Sequence, residues 1–81
     1  MSERLMLKGA LADKKQARMQ MAARAAGLIT GIKVIIQPAA IIPLKDLKTG
    51  DARALIRELD DLRGDYLKLT AEIEELEREL I

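Results

Sequence analysis

The chain has 81 residues, a formal net charge of +1, and neither cysteine nor histidine. These absences exclude a disulfide and a thiolate zinc site, and they remove the commonest general base. A chain of this length has room for a single small domain, residues 1–81, and such domains are marginally stable unless self-association supports them.

The charge is divided between the two halves of the chain. Residues 1–50 contain nine Lys or Arg against three Asp or Glu, a balance of +6, and residues 51–81 contain five against ten, a balance of −5. Two oppositely charged halves are predicted to lie against each other, within one chain or between copies.

Residues 3 to about 27 are predicted to form the first helix, because they are rich in good helix formers. Ser2 can cap its N-terminus, and Glu3 suits the positive end of its dipole. Its best apolar stripe advances in steps of three and four residues, and the stems of Lys14 and Arg24 can lie along the same line. The apolar members of the stripe are Leu7, Ala10, Ala17, Met21 and Leu28.

Residues 28 to about 50 are predicted to form an irregular, apolar connection. Gly27 and Gly31 are natural helix stops. Pro38 and Pro43 rule out a continuous helix, and each favours an extended conformation for the residue before it.

Three interpretations of this connection stay open. The preferred one is an apolar segment that folds over the open end of a helical hairpin. A second is a short strand at residues 32–36, which are β-branched, with another extended piece at residues 39–42. The third is that the first helix continues through Ile32 and bends near Pro38.

Residues 51–80 are predicted to form the second helix, which Thr49 or Asp51 can cap. Its apolar residues recur in alternating steps of three and four, the heptad pattern of a coiled coil. We call this apolar line the seam; its members are Ala52, Leu55, Leu59, Leu62, Tyr66, Leu69, Ile73, Leu76 and Leu80. Because the rest of the helix is charged, we expect another helix to cover the seam.

The acidic flank of the seam favours the first helix as that covering partner. The flanking acids are Glu58, Asp65, Glu72 and Glu79. A basic helix opposite these acids gives complementary charges, whereas antiparallel copies of the second helix alone would bring the acidic flanks together.

Four basic residues of the first helix fall within about one third of its circumference. These residues, which we call the basic stripe, are Arg4, Lys8, Lys15 and Arg18. Such a stripe can contact phosphates, so a small nucleic-acid-associated regulator is the alternative function. The near-neutral overall charge and the lack of interleaved aromatic residues favour a solvated or acid-paired face instead.

No arrangement of residues indicates catalysis, a metal or a cofactor. The hydroxyl-bearing residues have no base to activate them, and there is no Gly-rich phosphate loop. Metal sites in helical bundles usually combine Glu with His, so the acidic C-terminal cluster is predicted to be a solvated flank. The cluster consists of Glu72, Glu74, Glu75, Glu77 and Glu79. We therefore predict a protein that is not an enzyme.

Residues 25–44 carry a single charge, Lys33, and contain the Gly27-x-x-x-Gly31 spacing of membrane helix dimers. Two prolines make this segment a poor membrane span, and burial in an oligomer explains the same apolarity, so no membrane partner is favoured. Basic residues also interrupt any signal peptide near the N-terminus. Without cysteine or an export signal, the expected location is the cytoplasm.

The opening sequence SERLMLK, the break that ends in PLKDL at residues 43–47, and the Leu-rich acidic closing helix carry a family resemblance. In this layout the chain resembles small coiled-coil proteins of unknown function encoded in Mu-like prophages. The resemblance covers most of the chain and implies a phage-derived accessory or interaction protein. It supplies no functional residues.

These observations predict an all-α fold, an antiparallel and coiled-coil-like helical hairpin with an irregular apolar connection. The hairpins are expected to form a homo-oligomer, most simply a dimeric four-helix bundle, with another helical protein as the other candidate partner. The predicted function is that of a structural protein-interaction module that self-associates through the seam.

Overall fold

The computed structural model describes residues 2–81, apart from the side chains of residues 39 and 40. Two long helices, α1 (Glu3–Ile36) and α2 (Thr49–Leu80), pack against each other, and two short 3₁₀ turns at Gln37–Ala40 and Leu44–Asp46 join them. No described residue forms a strand. The predicted all-α helical hairpin is therefore confirmed, and its shape is a rod of 63 × 16 × 15 Å.

The N-terminus of α1 is capped as the sequence predicts. The Ser2 hydroxyl oxygen accepts a hydrogen bond from the backbone N–H of Leu5 at 3.1 Å. Glu3 lies in the first turn, where its carboxylate is near the positive end of the helix dipole.

The predicted end of the first helix near residue 27 is wrong, because α1 continues to Ile36. Neither Gly27 nor Gly31 has a positive φ, so both continue the helix instead of ending it. Leu28 is buried against the rest of the hairpin, and Ile32 and Ile35 are half-buried. This packing outweighs the weak helix preference of two glycines, which is about 1 kcal/mol each.

The predicted strand at residues 32–36 is wrong for the same reason, since only a helical spacing places Ile32 and Ile35 on the packed face. The extended piece predicted at residues 39–42 is also wrong in its first half, which belongs to a 3₁₀ turn. Gln37 is helical, at φ −54° and ψ −39°, although proline follows it. The helix ends there because Pro38 has no N–H to donate to the preceding turn.

The second helix begins at Thr49, two residues before its predicted start, and the connection is confined to residues 37–48. The N-cap position is Lys48, whose side chain makes no capping hydrogen bond, so the predicted caps Thr49 and Asp51 are wrong. Asp51 lies within the first turn, where its carboxylate still favours the dipole.

Contacts at both ends of the rod define the antiparallel register of the two helices. At the open end, the Arg4 guanidinium donates a hydrogen bond to the carbonyl oxygen of Leu80 at 2.9 Å. At the closed end, Gly31 lies so near Leu55 that a Cβ atom on the glycine would be 3.2 Å from Leu55 Cδ1.

Candidate helix-pairing surface

The seam of α2 is covered unevenly by α1. Ala52, Leu69 and Ile73 are buried, and the Ile73 side chain has no accessible surface at all. Tyr66 keeps 36% of its surface exposed. The remaining seam residues, which are half-buried, are Leu55, Leu59, Leu62, Leu76 and Leu80. One helix therefore hides only part of the apolar line.

Two ion pairs join the acidic flank of the seam to α1. Lys14 Nζ lies 2.9 Å from Glu72 Oε2, and Arg24 Nη2 lies 3.1 Å from Glu58 Oε1. Both pairs are largely exposed, so each contributes at most about 1 kcal/mol and mainly fixes the register. These contacts confirm the predicted pairing of basic and acidic helices, although the other two flanking acids form no ion pair with described residues.

Two of the four residues of the basic stripe on α1 contact α2, and the other two form no ion pair with the described residues. Arg4 donates to the Leu80 carbonyl oxygen, and Lys15 Nζ lies 3.7 Å from Glu77 Oε2. Lys8 and Arg18 form no ion pair with the described residues. Half of the residues proposed for phosphate contact are therefore already engaged by the acidic helix.

An open apolar groove runs between the two helices near the middle of the rod. Its volume is about 490 Å³, and nine residues line it. They are Met21, Ala22, Ala25, Ala26, Ile29, Leu59, Leu62, Arg63 and Tyr66. The alanines leave space beside the seam that larger side chains would fill, and Arg63 is the one charged residue in the lining. We call this feature the open groove.

Sequence reasoning found the α2 side of the open groove and Met21 on its α1 side, but not the alanines of α1. Leu59, Leu62 and Tyr66 are predicted seam residues, whereas Ala22 and Ala26 lie off the predicted stripe of the first helix. The available signal was the alanine-rich run at residues 22–26, because small residues on one helix permit a close approach or leave a gap.

Further apolar side chains are exposed at the closed end of the hairpin. Val34, Ile41 and Leu44 are exposed there, with Lys33 and Lys45 beside them in the sequence. Among the described residues, α1 is also the one helix long and apolar enough to cross a membrane by length and composition alone. A helix that packs against other helices through its apolar face can meet the same criteria of length and composition, so the criteria alone do not indicate a membrane span.

Two residues of the acidic C-terminal cluster contact α1, and the cluster forms no metal site among the described residues. Glu72 and Glu77 face Lys14 and Lys15 in the ion pairs. Within residues 2–81, no group of three metal-ligating side chains lies close enough to hold an ion. The hydroxyl oxygen of nearby Thr70 is buried and has no hydrogen-bond partner among the described residues.

No protein-family model, curated protein or solved structure matches this chain. The resemblance to small proteins of Mu-like prophages therefore stays a prediction from the sequence. Any function must be inferred from the surface of the hairpin itself.

Proposed function

We propose that this protein is a non-enzymatic structural module that self-associates through the uncovered part of its seam, forming a dimeric bundle of four helices. The observation that carries this proposal is the open groove, where Leu59, Leu62 and Tyr66 remain accessible although α1 lies alongside them. An apolar line left half-covered along a helix favours a further helical partner.

The accessible surface of the hairpin supports the proposal. The chain exposes 6338 Å², whereas a compact monomer of 9.0 kDa is expected to expose about 4,900 Å². The excess of roughly 1,400 Å² is larger than the surface of about 800 Å² that each partner buries in a stable interface. Side-by-side association can therefore hide a normal interface area without any change of fold.

The chemistry of the open groove also supports a structural role. Arg63 and Tyr66 are the ionisable residues among its nine lining side chains, and neither is placed beside a general base in the groove. A phage-derived accessory protein acting in the cytoplasm, as the sequence resemblance and composition suggest, is consistent with such a module.

Light scattering coupled to size exclusion tests the proposal at two or more protein concentrations. The wild-type mass should approach twice the chain mass of 9.0 kDa as the concentration rises. Ala22→Asp should lower the apparent mass toward that of one chain, because it places a carboxylate in the apolar groove.

The matched control is Ala23→Asp, which introduces the same charge one residue away at an exposed position outside the groove lining. This variant should assemble like the wild type, and circular dichroism should show similar helicity for both variants. A wild-type chain that remains monomeric at every concentration contradicts the proposal. Salt-sensitive retention of DNA or RNA that is abolished by Arg4→Glu with Lys15→Glu would instead support the nucleic-acid-associated regulator.

A further inference from the structure

One exposed face of α2 has a self-complementary order of residues. Ile56, Asp60, Arg63 and Leu67 follow one another in steps of four, three and four. At 100° per residue they fall within about 60° of the helix circumference. All four are exposed, with Ile56 at 50% and Leu67 at 51% of their surface.

The two charged members of this face are unpaired within the hairpin. Neither Asp60 nor Arg63 forms an ion pair with any other described residue. Arg63 also borders the open groove, so the face adjoins the part of the seam that α1 leaves accessible. On the opposite flank of α2, by contrast, Glu58 and Glu72 already form ion pairs with α1.

The order of this face matches itself when a second copy runs in the opposite direction. Opposing residues then have numbers that add to 123, since 56 + 67 and 60 + 63 give the same sum. Ile56 meets the partner's Leu67, and Asp60 meets the partner's Arg63. Both contacts occur twice about a two-fold axis between residues 61 and 62.

We propose that the partner at this surface is a second copy of the chain, docked with its α2 antiparallel to α2 in this register. The inference rests on the proposed self-association and deepens it by naming the contacts that choose the orientation. A two-fold interface uses the same patch on both subunits, so it requires a patch that complements itself.

Charge and area favour this antiparallel arrangement over a parallel one. In a parallel pair with matched ends, each Asp60 would face another Asp60 and each Arg63 another Arg63, and such like-charge contacts are unfavourable. In the antiparallel register, the two opposite-charge pairs lie next to the two-fold axis, and one Ile56–Leu67 contact lies on either side of them. The open groove runs alongside, at Arg63. The excess surface of the hairpin is sufficient for an interface of this kind.

Reversing either charge tests the register. Asp60→Arg and Arg63→Asp should each raise the dimer dissociation constant by about tenfold or more, because two like-charge contacts replace two favourable ones. The double variant Asp60→Arg with Arg63→Asp should restore dimerisation. Asp61→Arg is the matched control: it makes the same charge change at an adjacent exposed residue outside this face, and it should dimerise normally.

Mixing the two single variants gives the sharpest readout. The Arg63→Asp variant has aspartate at both positions 60 and 63, and the Asp60→Arg variant has arginine at both. The two variants complement each other, so an equimolar mixture should form heterodimers in native mass spectrometry. Each variant alone should stay largely monomeric, with helicity unchanged in circular dichroism.

The outcomes separate this inference from the proposed function. If both single charge-reversal variants still dimerise normally, or if their mixture shows no preference for heterodimers, the proposed register is wrong but the proposed self-association is not contradicted. A wild-type chain that is monomeric, including one that instead cosediments with anionic lipid vesicles, overturns both. Loss of helicity in a single variant is resolved by the mixture, since complementary chains should regain helicity together if the register is correct.

Discussion

At the scale of single residues, Thr70 has an unfavourable environment within the hairpin. Its hydroxyl oxygen is buried and has no hydrogen-bond partner among the described residues. A buried polar group without a partner has lost its hydration and gained nothing in return, which costs about 1–3 kcal/mol. The Thr70 methyl group contributes to packing, whereas its hydroxyl lowers the free energy of unfolding.

Thr70→Val should therefore raise the free energy of unfolding by about 1 kcal/mol, because valine keeps the branched shape and removes the hydroxyl. Chemical denaturation followed by circular dichroism measures the change. Thr30→Val is the control, since the Thr30 hydroxyl donates to the Ala26 carbonyl oxygen at 3.0 Å in an exposed position. That control should change stability by no more than about 0.5 kcal/mol, and a destabilised Thr70→Val would contradict this account.

At the scale of elements, the two helices differ in how well the sequence predicts them. The seam of α2 is uninterrupted, so its predicted span of 51–80 agrees with Thr49–Leu80 to within two residues. Beyond the predicted α1 stripe, a further step of seven residues from Leu28 reaches Ile35, one residue before the end of the helix. The sequence-based prediction ended the helix near residue 27 because Gly27 and Gly31 are poor helix formers. In the folded chain, packing of α1 against α2 stabilises the helix by more than these glycines destabilise it.

The two interior glycines of α1 should respond differently to alanine. Gly27→Ala should stabilise the hairpin by about 0.5–1 kcal/mol, because nothing lies within 4 Å of the added Cβ and alanine is the better helix former. Gly31→Ala should gain less or lose stability, since its Cβ would lie 3.2 Å from Leu55 Cδ1.

Thermal unfolding of both glycine variants at one protein concentration measures this difference. Gly9→Ala is a second open position on the same helix and should behave like Gly27→Ala. Equal stabilisation at Gly27 and Gly31 would mean that Leu55 adjusts without cost and that the close approach does not limit the helix packing.

At the scale of the whole molecule, the sequence predicts the chemistry of the pairing surface better than its shape. Heptad spacing and divided charge indicate the seam and the pairing of a basic helix with an acidic one. The individual contacts of Lys14 with Glu72 and Arg24 with Glu58 come from the structure. The open groove depends on how far apart the two helices lie beside Ala22 and Ala26, and no spacing rule in the sequence specifies that distance. The groove therefore becomes visible only once both helices are placed.

The rod shape of the hairpin explains why association alongside it is the effective way to bury surface. Its radius of gyration is 18.5 Å, whereas a compact domain of this length is expected to have about 12 Å. A rod of 63 × 16 × 15 Å has little surface at its ends and much along its sides. Contact along α2 therefore covers far more apolar area than contact through the exposed side chains of the closed end.

Small-angle X-ray scattering on the dimer should distinguish these two modes of association. The proposed two-fold axis lies between residues 61 and 62, about three residues from the middle of α2, so antiparallel copies overlap along most of their length. At 1.5 Å of rise per residue, the largest dimension should stay within about 10 Å of the 63 Å of one hairpin while the cross-section grows. Contact through the closed ends would instead roughly double the length, and a dimer of that length would exclude docking along α2.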